Sequence, residues 1–195
     1  LAKKAVELID LTKHQGEHPR MEALRQALSA VVETRVSQDI YAELYSKLIV
    51  NSCITSLGAI CGLHLGEMLK RRRARDIFLA IIGEAMDVAH AMKLQVPPFG
   101  GKLDYEKLMQ GDTPLDSLRR HVMIRLVGMK YSKLKPPSLQ SLERGRPTEI
   151  DYFNGYIARK GQELHVDCPV NQRLVTMIKE IEHHAREINV KNLED

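Results

Sequence analysis

The sequence predicts an all-α bundle preceded by a short remnant of an α/β domain, and three observations carry that expectation. Aromatic residues make up 5% of the chain and Trp is absent, so the core has to rest on Leu, Ile, Val, Ala and Met, which suit packed helices better than a β-sandwich. Beyond about Val36, apolar residues recur at three- and four-residue spacing in one segment after another. Before that point Ala30-Val31-Val32-Glu33-Thr34 reads as one short strand, of the kind that closes a sheet whose other strands lie upstream.

Taken in order, Leu1 to about His18 shows a helical pattern that ends in the polar stretch Gln15-Gly16-Glu17-His18-Pro19, and Met21–Ala30 forms a second, with Leu24, Ala27 and Leu28 on one face. The central helix is expected from about Ile40 to Gly62, with Leu44, Leu48, Ile54, Leu57 and Ile60 at helical spacing. Another runs from Ala74 to Met92 on Ile77, Ile81, Ile82, Ala85, Val88 and Ala89, and Val96-Pro97-Pro98-Phe99-Gly100-Gly101 breaks it. Thr113 is a good N-cap and Pro114 a good first-turn residue for a helix carrying Leu115, Leu118, Val122, Leu126 and Met129. Lys135-Pro136-Pro137 is a further break. Pro147-Thr148 opens the next helix, with Thr148 and Asp151 three apart as in a capping box. Pro169 starts a last helix through about Ile188, with Leu174, Met177, Ile178 and Ile181 turned inward.

Charge and cysteine usage narrow the function classes. A net charge of +4 with a pI near 8.9 fits a small anionic ligand and is too weak to argue for nucleic acid without a concentrated patch. Lys70-Arg71-Arg72-Arg73-Ala74-Arg75 is the densest run, but neither stacking aromatics nor a recognised binding motif accompanies it, so a solvated helix start or a contact between subunits is expected there. No apolar stretch is expected to reach the roughly 20 residues that span a bilayer, and no signal segment opens the chain. The three cysteines, Cys53, Cys61 and Cys168, form no CxxC pair and lie in or beside apolar runs, which favours buried thiols, a reducing compartment and a cytoplasmic location. The first residue is Leu1 and not Met, so a piece of a longer polypeptide is expected.

Two constellations could carry chemistry. Lys47, Asn51 and Thr55 recur every four residues, so an ammonium, an amide and a hydroxyl project from one stripe of the central helix. Buried without partners they would cost about 1–3 kcal/mol each; they are either satisfied internally or arranged around a polar ligand. The second is Gly145-Arg146-Pro147-Thr148-Glu149-Ile150-Asp151, followed by Asn154-Gly155. Glu149 in a first helical turn either complements the helix dipole or faces Lys47 across a cleft and receives a substrate hydroxyl. The adjacent His183 and His184 point about 100° apart on a helix and cannot clasp one metal. Cys53 has no base beside it in sequence, and no metal site is expected.

Together the two motifs resemble the C-terminal domain of the ketopantoate reductases (2-dehydropantoate 2-reductases), from about Ile40 to about His184. The resemblance rests on Lys47-Leu48-Ile49-Val50-Asn51, Gly145-Arg146-Pro147-Thr148-Glu149-Ile150-Asp151, Asn154-Gly155 and Pro169-Val170-Asn171. It implies a helical bundle of the 6-phosphogluconate dehydrogenase C-terminal-like type, with residues 1–39 as the tail of a Rossmann-type nucleotide-binding domain and 40–195 as a substrate-binding and dimerisation domain. It also implies an NADPH-dependent reductase of a 2-keto acid, 2-dehydropantoate to pantoate, that works as a homodimer without nucleic acid or membrane.

By the same resemblance Lys47 is the general acid, and Glu149 accepts a hydrogen bond from the substrate hydroxyl while pairing with Lys47. Asn51, Thr55 and Ser138 are the substrate-binding residues. The chain shows no GxGxxG fingerprint, so no cofactor-binding residue is expected in it, and NADPH belongs to the upstream domain. Two departures bear on substrate. Thr55 stands where the family often has a second asparagine. Pro137 stands where it has a serine, which Ser138 replaces if the loop shifts by one residue. The alternatives are a reductase of a different 2-keto acid, a non-catalytic helical dimerisation domain, and a basic helical nucleic-acid binder.

Overall fold

The computed structural model describes residues 19–195; the helical pattern expected over Leu1 to about His18 lies outside the described residues. The helices are α1 Pro19–Ser29, α2 Ile40–Cys61, α3 Leu65–Lys70, α4 Arg72–Ala91, α5 Tyr105–Met109, α6 Pro114–Lys130, α7 Pro137–Glu143, α8 Asn154–Leu164 and α9 Pro169–Glu182. Single 3-10 turns cover Ile150–Tyr152 and Val190–Leu193. The chain divides into two compact units, Leu1–Glu43 and Leu44–Asp195.

In the first unit the strand expected at Ala30–Thr34 does not form. The amides of Val31 and Val32 both turn back onto the Leu28 carbonyl at 3.0 Å, which winds up the end of α1 and leaves no ladder. A strand needs a neighbour to take its backbone groups, and none exists among the described residues. Asp39 accepts from the Ala42 amide at 3.0 Å and so caps the start of α2.

The second unit is built around α2 and α4, which run antiparallel. Tyr45 Oη donates to the Ala85 carbonyl at 2.7 Å, and Cys53 Sγ lies 3.6 Å from the Phe78 carbonyl. Ile49, Leu57, Ile81, Ile82 and Ala85 are fully buried in this seam. A membrane-length apolar stretch, not expected from the sequence, is present after all: α2 has 22 residues and is apolar enough to cross a bilayer, but 72% of that stretch is buried inside the protein. It is apolar because it is the central helix of a bundle.

Short helices unseen in the sequence pattern complete the packing. Gly66 and Gly128 let α3 and α6 approach: a Cβ on Gly128 would lie 2.7 Å from Leu69 Cβ. Arg75 donates to the Leu69 and Lys70 carbonyls, both at 2.8 Å, so part of the basic run serves to cap the end of α3. Thr113 and Asp116 form the reciprocal capping box at the start of α6. The apolar stripe that the sequence places on α6 points outward. Leu115, Leu118, Val122, Leu126 and Met129 are exposed, while Ile124 and Gly128 on the opposite side are buried.

Helix α9 has no capping side chain of its own at Cys168. Glu84 on α4 supplies the cap: its carboxylate accepts from the backbone amides of Val170 at 2.7 Å and Asn171 at 2.9 Å, and from Asn171 Nδ2 at 2.6 Å. Asn171 Oδ1 in turn accepts from Asn154 Nδ2 at 2.9 Å. One carboxylate therefore ties together α4, α8 and α9 and meets the positive end of the α9 dipole. The expected extension of α9 to Ile188 stops at Glu182. His184 takes φ +59°, and the Ala185 and Arg186 amides fold back onto the Glu180 carbonyl, a left-handed helix end.

The segment before α8 also departs from the capping box expected between Thr148 and Asp151. Thr148 gives both its backbone amide and its hydroxyl to Glu182 Oε1, each at 2.7 Å, and Asp151 pairs with Lys179 at 2.6 Å. The two side chains are drawn to α9 and not to each other, so 150–152 closes as a 3-10 turn and the α-helix starts only at Asn154.

Two outcomes follow. Glu84→Ala removes three bonds to a charged acceptor and leaves the amides at the start of α9 without a partner. It should destabilise the protein by about 2–4 kcal/mol, and a denaturant midpoint unchanged from the parent would show that water replaces those bonds. Burial raises the Glu182 carboxyl, but the bonds from Thr148 and Lys179 outweigh it and hold the group below its ordinary 4.5. A lowered carboxylate stabilises the fold above its unfolded value and loses that contribution as pH falls through the folded one. Stability should therefore drop with acid below about pH 4.5 by more in the parent than in Glu182→Gln, a difference read from thermal melts across that range.

Candidate active site

The five residues singled out in the sequence all fall in the 44–195 unit. Lys47, Asn51 and Thr55 follow one stripe of α2, on the side turned away from the α4 seam. Over about 12 Å of helix axis the stripe passes from an exposed Lys47 through a half-buried Asn51 to a buried Thr55. Neither the Lys47 ammonium nor the Asn51 amide bonds to a described residue, whereas Thr55 Oγ1 donates to the Asn51 carbonyl at 2.8 Å. The hydroxyl proton of Thr55 is thus engaged by its own helix, and toward a ligand its oxygen can only accept.

At the inner end of the stripe lies Gly58, one turn past Thr55. A Cβ there would sit 2.2 Å from Pro136 Cγ, so the bare glycine lets the Pro136 ring rest directly on α2. That contact docks the start of α7 against the stripe and brings in Ser138, which is 5% exposed. Pro137 is the first residue of α7 and carries no hydroxyl.

Glu149 is held by its neighbours. Thr148 is fastened to Glu182, and Ile150 is buried. Its own side chain is exposed and bonds to no described residue. It does not lie in the first turn of an α-helix as expected; it precedes the 3-10 turn Ile150–Tyr152. Asp151 and Glu182 are both committed to Lys179, at 2.6 and 3.0 Å, which leaves Glu149 as the carboxylate of this cluster that is free to meet a ligand. No ion pair joins Glu149 to Lys47 among the described residues. Both side chains are exposed, and an exposed ion pair gains at most about 1 kcal/mol.

The sequence reading missed the residues that set this geometry: Glu182, which clamps Thr148 from 34 residues away, Glu84, and the Gly58–Pro136 contact. Each pairs distant segments, and no local spacing signals it. The thiols are structural. Cys53, Cys61 and Cys168 are free and buried, and burial pushes the Cys168 thiol up to about 11. Among the described residues no group of three His, Cys, Asp or Glu side chains could hold a metal. A cleft of about 390 Å³ beside α8 and α9 is lined by Asp151, Gly155, Arg159 and Cys168 among others, and none of the five candidate residues lines it.

Residues 39–182 match the family described as ketopantoate reductase PanE/ApbA C terminal. A 2-dehydropantoate 2-reductase of Archaeoglobus fulgidus is 27% identical over 144 residues, covering 74% of this chain and 42% of that protein. One of Pyrococcus abyssi is 26% identical over 179 residues, covering 90% and 52%. The chain thus spans about half the length of the curated relatives it matches. The fold is similar to that of D-mandelate dehydrogenase solved with NADH and anilino(oxo)acetate (TM-score 0.69, 24% identity, 87% of this chain and 64% of that one). It is also similar to that of a PanE/ApbA family ketopantoate reductase from Ralstonia eutropha JMP134 (TM-score 0.64, 24% identity, 82% and 47%). With an all-helical bundle, the lysine–asparagine stripe on its central helix and a match over 39–182, the chain belongs to the ketopantoate reductase PanE/ApbA C-terminal family.

Proposed function

We propose that this chain is the substrate-binding helical part of an NADPH-dependent 2-keto acid reductase that converts 2-dehydropantoate to pantoate and works as a homodimer in the cytoplasm. The observation that carries the reading is the pair Lys47 and Asn51, two polar side chains on one stripe of a mostly buried helix that bond to no described residue. A scaffold has no need for them.

In this reading Lys47 Nζ lies at the keto oxygen of the substrate. Its positive charge stabilises the negative charge that develops on that oxygen during reduction, and it then delivers a proton there. Asn51 orients the polar groups of the substrate. Glu149 accepts a hydrogen bond from the substrate hydroxyl and, with substrate bound, balances the charge of Lys47. The reducing equivalent comes from the nicotinamide cofactor. The described residues, largely helical and without a glycine-rich strand–turn–helix, do not fit a dinucleotide cradle, so cofactor binding is assigned to the part of the relatives that this chain does not span.

A second reading, a reductase of a different 2-keto acid, is favoured by Thr55 and Pro137. Where the family often has an asparagine amide that both donates and accepts, Thr55 offers an acceptor alone, and Pro137 offers nothing. A substrate with fewer hydroxyl groups than 2-dehydropantoate matches that set better.

The test joins the chain to an upstream nucleotide-binding domain and follows NADPH oxidation across a panel of 2-keto acids. Lys47→Ala should lower kcat by about 10²–10⁴-fold with an unchanged circular dichroism spectrum, and Glu149→Gln should raise KM for hydroxylated substrates more than for plain ones. A Lys47→Ala enzyme within threefold of the parent would remove the lysine from the chemistry. The 195-residue chain by itself should not oxidise NADPH.

A further inference from the structure

Another cavity, of about 210 Å³, opens where the end of α2, the start of α4 and the first half of α9 meet the C-terminal segment. Its walls are apolar. Ile60, Ile77, Leu174, Met177 and Leu193 line it, and all of these but Ile77 are buried. The wall made by the C-terminal segment is fixed by hydrogen bonds. The Ile60 carbonyl accepts from the Asn189 amide at 3.0 Å and from Asn192 Nδ2 at 2.8 Å, and Arg73 Nε donates to the Leu193 carbonyl at 3.1 Å. Walls held in this way lower the ordering cost of binding a ligand between them. None of Lys47, Asn51, Thr55, Ser138 and Glu149 lines this cavity.

The polar groups that line it differ in whether the fold has used them. Asn192 donates to the carbonyls of Ile60 and Glu187 and accepts from Arg186 Nη1. The Asp195 carboxylate accepts from the same Arg186 nitrogen at 2.6 Å. Both are committed. Arg73 and Arg173 are exposed and line the cavity from α4 and α9; the fold engages only Nε of Arg73, and Arg173 bonds to no described residue. Two guanidinium groups and an aliphatic wall are therefore left to meet a ligand. A planar guanidinium holds a carboxylate through paired N–H···O bonds, and the wall favours a hydrocarbon chain. The one neutral polar side chain, Asn192, is bonded at both ends and offers little to a hydroxyl or keto group. A cavity of about 150 Å³ holds a benzene ring, so one of 210 Å³ suits a ligand of about eight heavy atoms. We infer that this cavity binds a short aliphatic monocarboxylate of about six carbons, with its carboxylate on Arg73 and Arg173 and its chain against Ile77, Leu174 and Met177. The site is separate from the Lys47 stripe and does not depend on the function proposed above.

The experiment titrates the whole chain with 4-methylpentanoate, a carboxylate of that size. Calorimetry should give a Kd on the order of 0.1–1 mM, and the methyl resonances of Ile60, Ile77 and Met177 should shift during the titration. Arg173→Gln, a change at the surface, should weaken binding about 10-fold and leave the melting temperature of the free protein in place. The neutral 4-methylpentanamide, of the same shape, should bind about 10-fold more weakly than the acid. Lys47→Ala should bind the acid as the parent does. Absence of binding at about 10 mM acid, an amide that binds as tightly as the acid, or parental affinity in Arg173→Gln overturns the site. So does displacement of the acid by an equal concentration of inorganic phosphate, which would leave the apolar wall without a part. Loss of binding in Lys47→Ala with the Met177 methyl unmoved also overturns it, and moves the carboxylate to the stripe on α2.

Discussion

The antiparallel seam between α2 and α4 has to stay dry, and the rest of the 44–195 unit follows from that requirement. Tyr45, Ile49 and Cys53 sit on one side of α2 and meet Ala85, Ile82 and Phe78 in the core. Because a helix places residues 3.6 to the turn, the side of α2 that faces away from the seam is the side that carries Lys47, Asn51 and Thr55. Burying the seam thus presents the polar stripe outward, and the direction of the candidate site is a consequence of the core.

The segment that carries Glu149 is held by a pair of carboxylates on α4 and α9. Glu84 reaches from α4 to the amides at the start of α9 and, through Asn171 and Asn154, to α8. Glu182 reaches from α9 to Thr148. The segment holding Glu149 is fastened at both ends by these contacts, which lets Glu149 remain exposed without the backbone beneath it becoming loose. Each carboxylate costs the bundle a partly buried charge, and each offsets that cost by satisfying backbone amides that would otherwise lack a partner.

The polar side chains of the 44–195 unit divide into those used by the fold and those left over. Thr55 spends its proton on its own helix, Asp151 and Glu182 share Lys179, and the buried thiols lie among apolar side chains. Lys47, Asn51 and Glu149 remain. The Gly58–Pro136 contact closes the inner end of the stripe by bringing backbone and proline ring to a distance that only glycine tolerates.

Much of this was legible in the residues themselves. Periodicity located α2, α4, α6 and α9, and Thr113-Pro114 marked the start of α6, because backbone helicity and capping are local properties with local signals. The Lys47–Asn51 spacing and the run through Glu149 named the family, since both lie within a few residues of chain. What covers an apolar face is not local. The stripe on α6 has the same periodicity as the inward faces of α4 and α9, yet it points to solvent, because helical spacing says that a face is apolar and not what stands opposite it. The strand expected at Ala30–Thr34 failed for the same reason, having no partner among the described residues, and the long-range caps from Glu84 and Glu182 left no mark in the sequence near the helices they hold. Where the long helices run was written in the chain, because their apolar spacing is local; which short helices join them, which faces meet and which side chains are left free was decided only when distant segments packed.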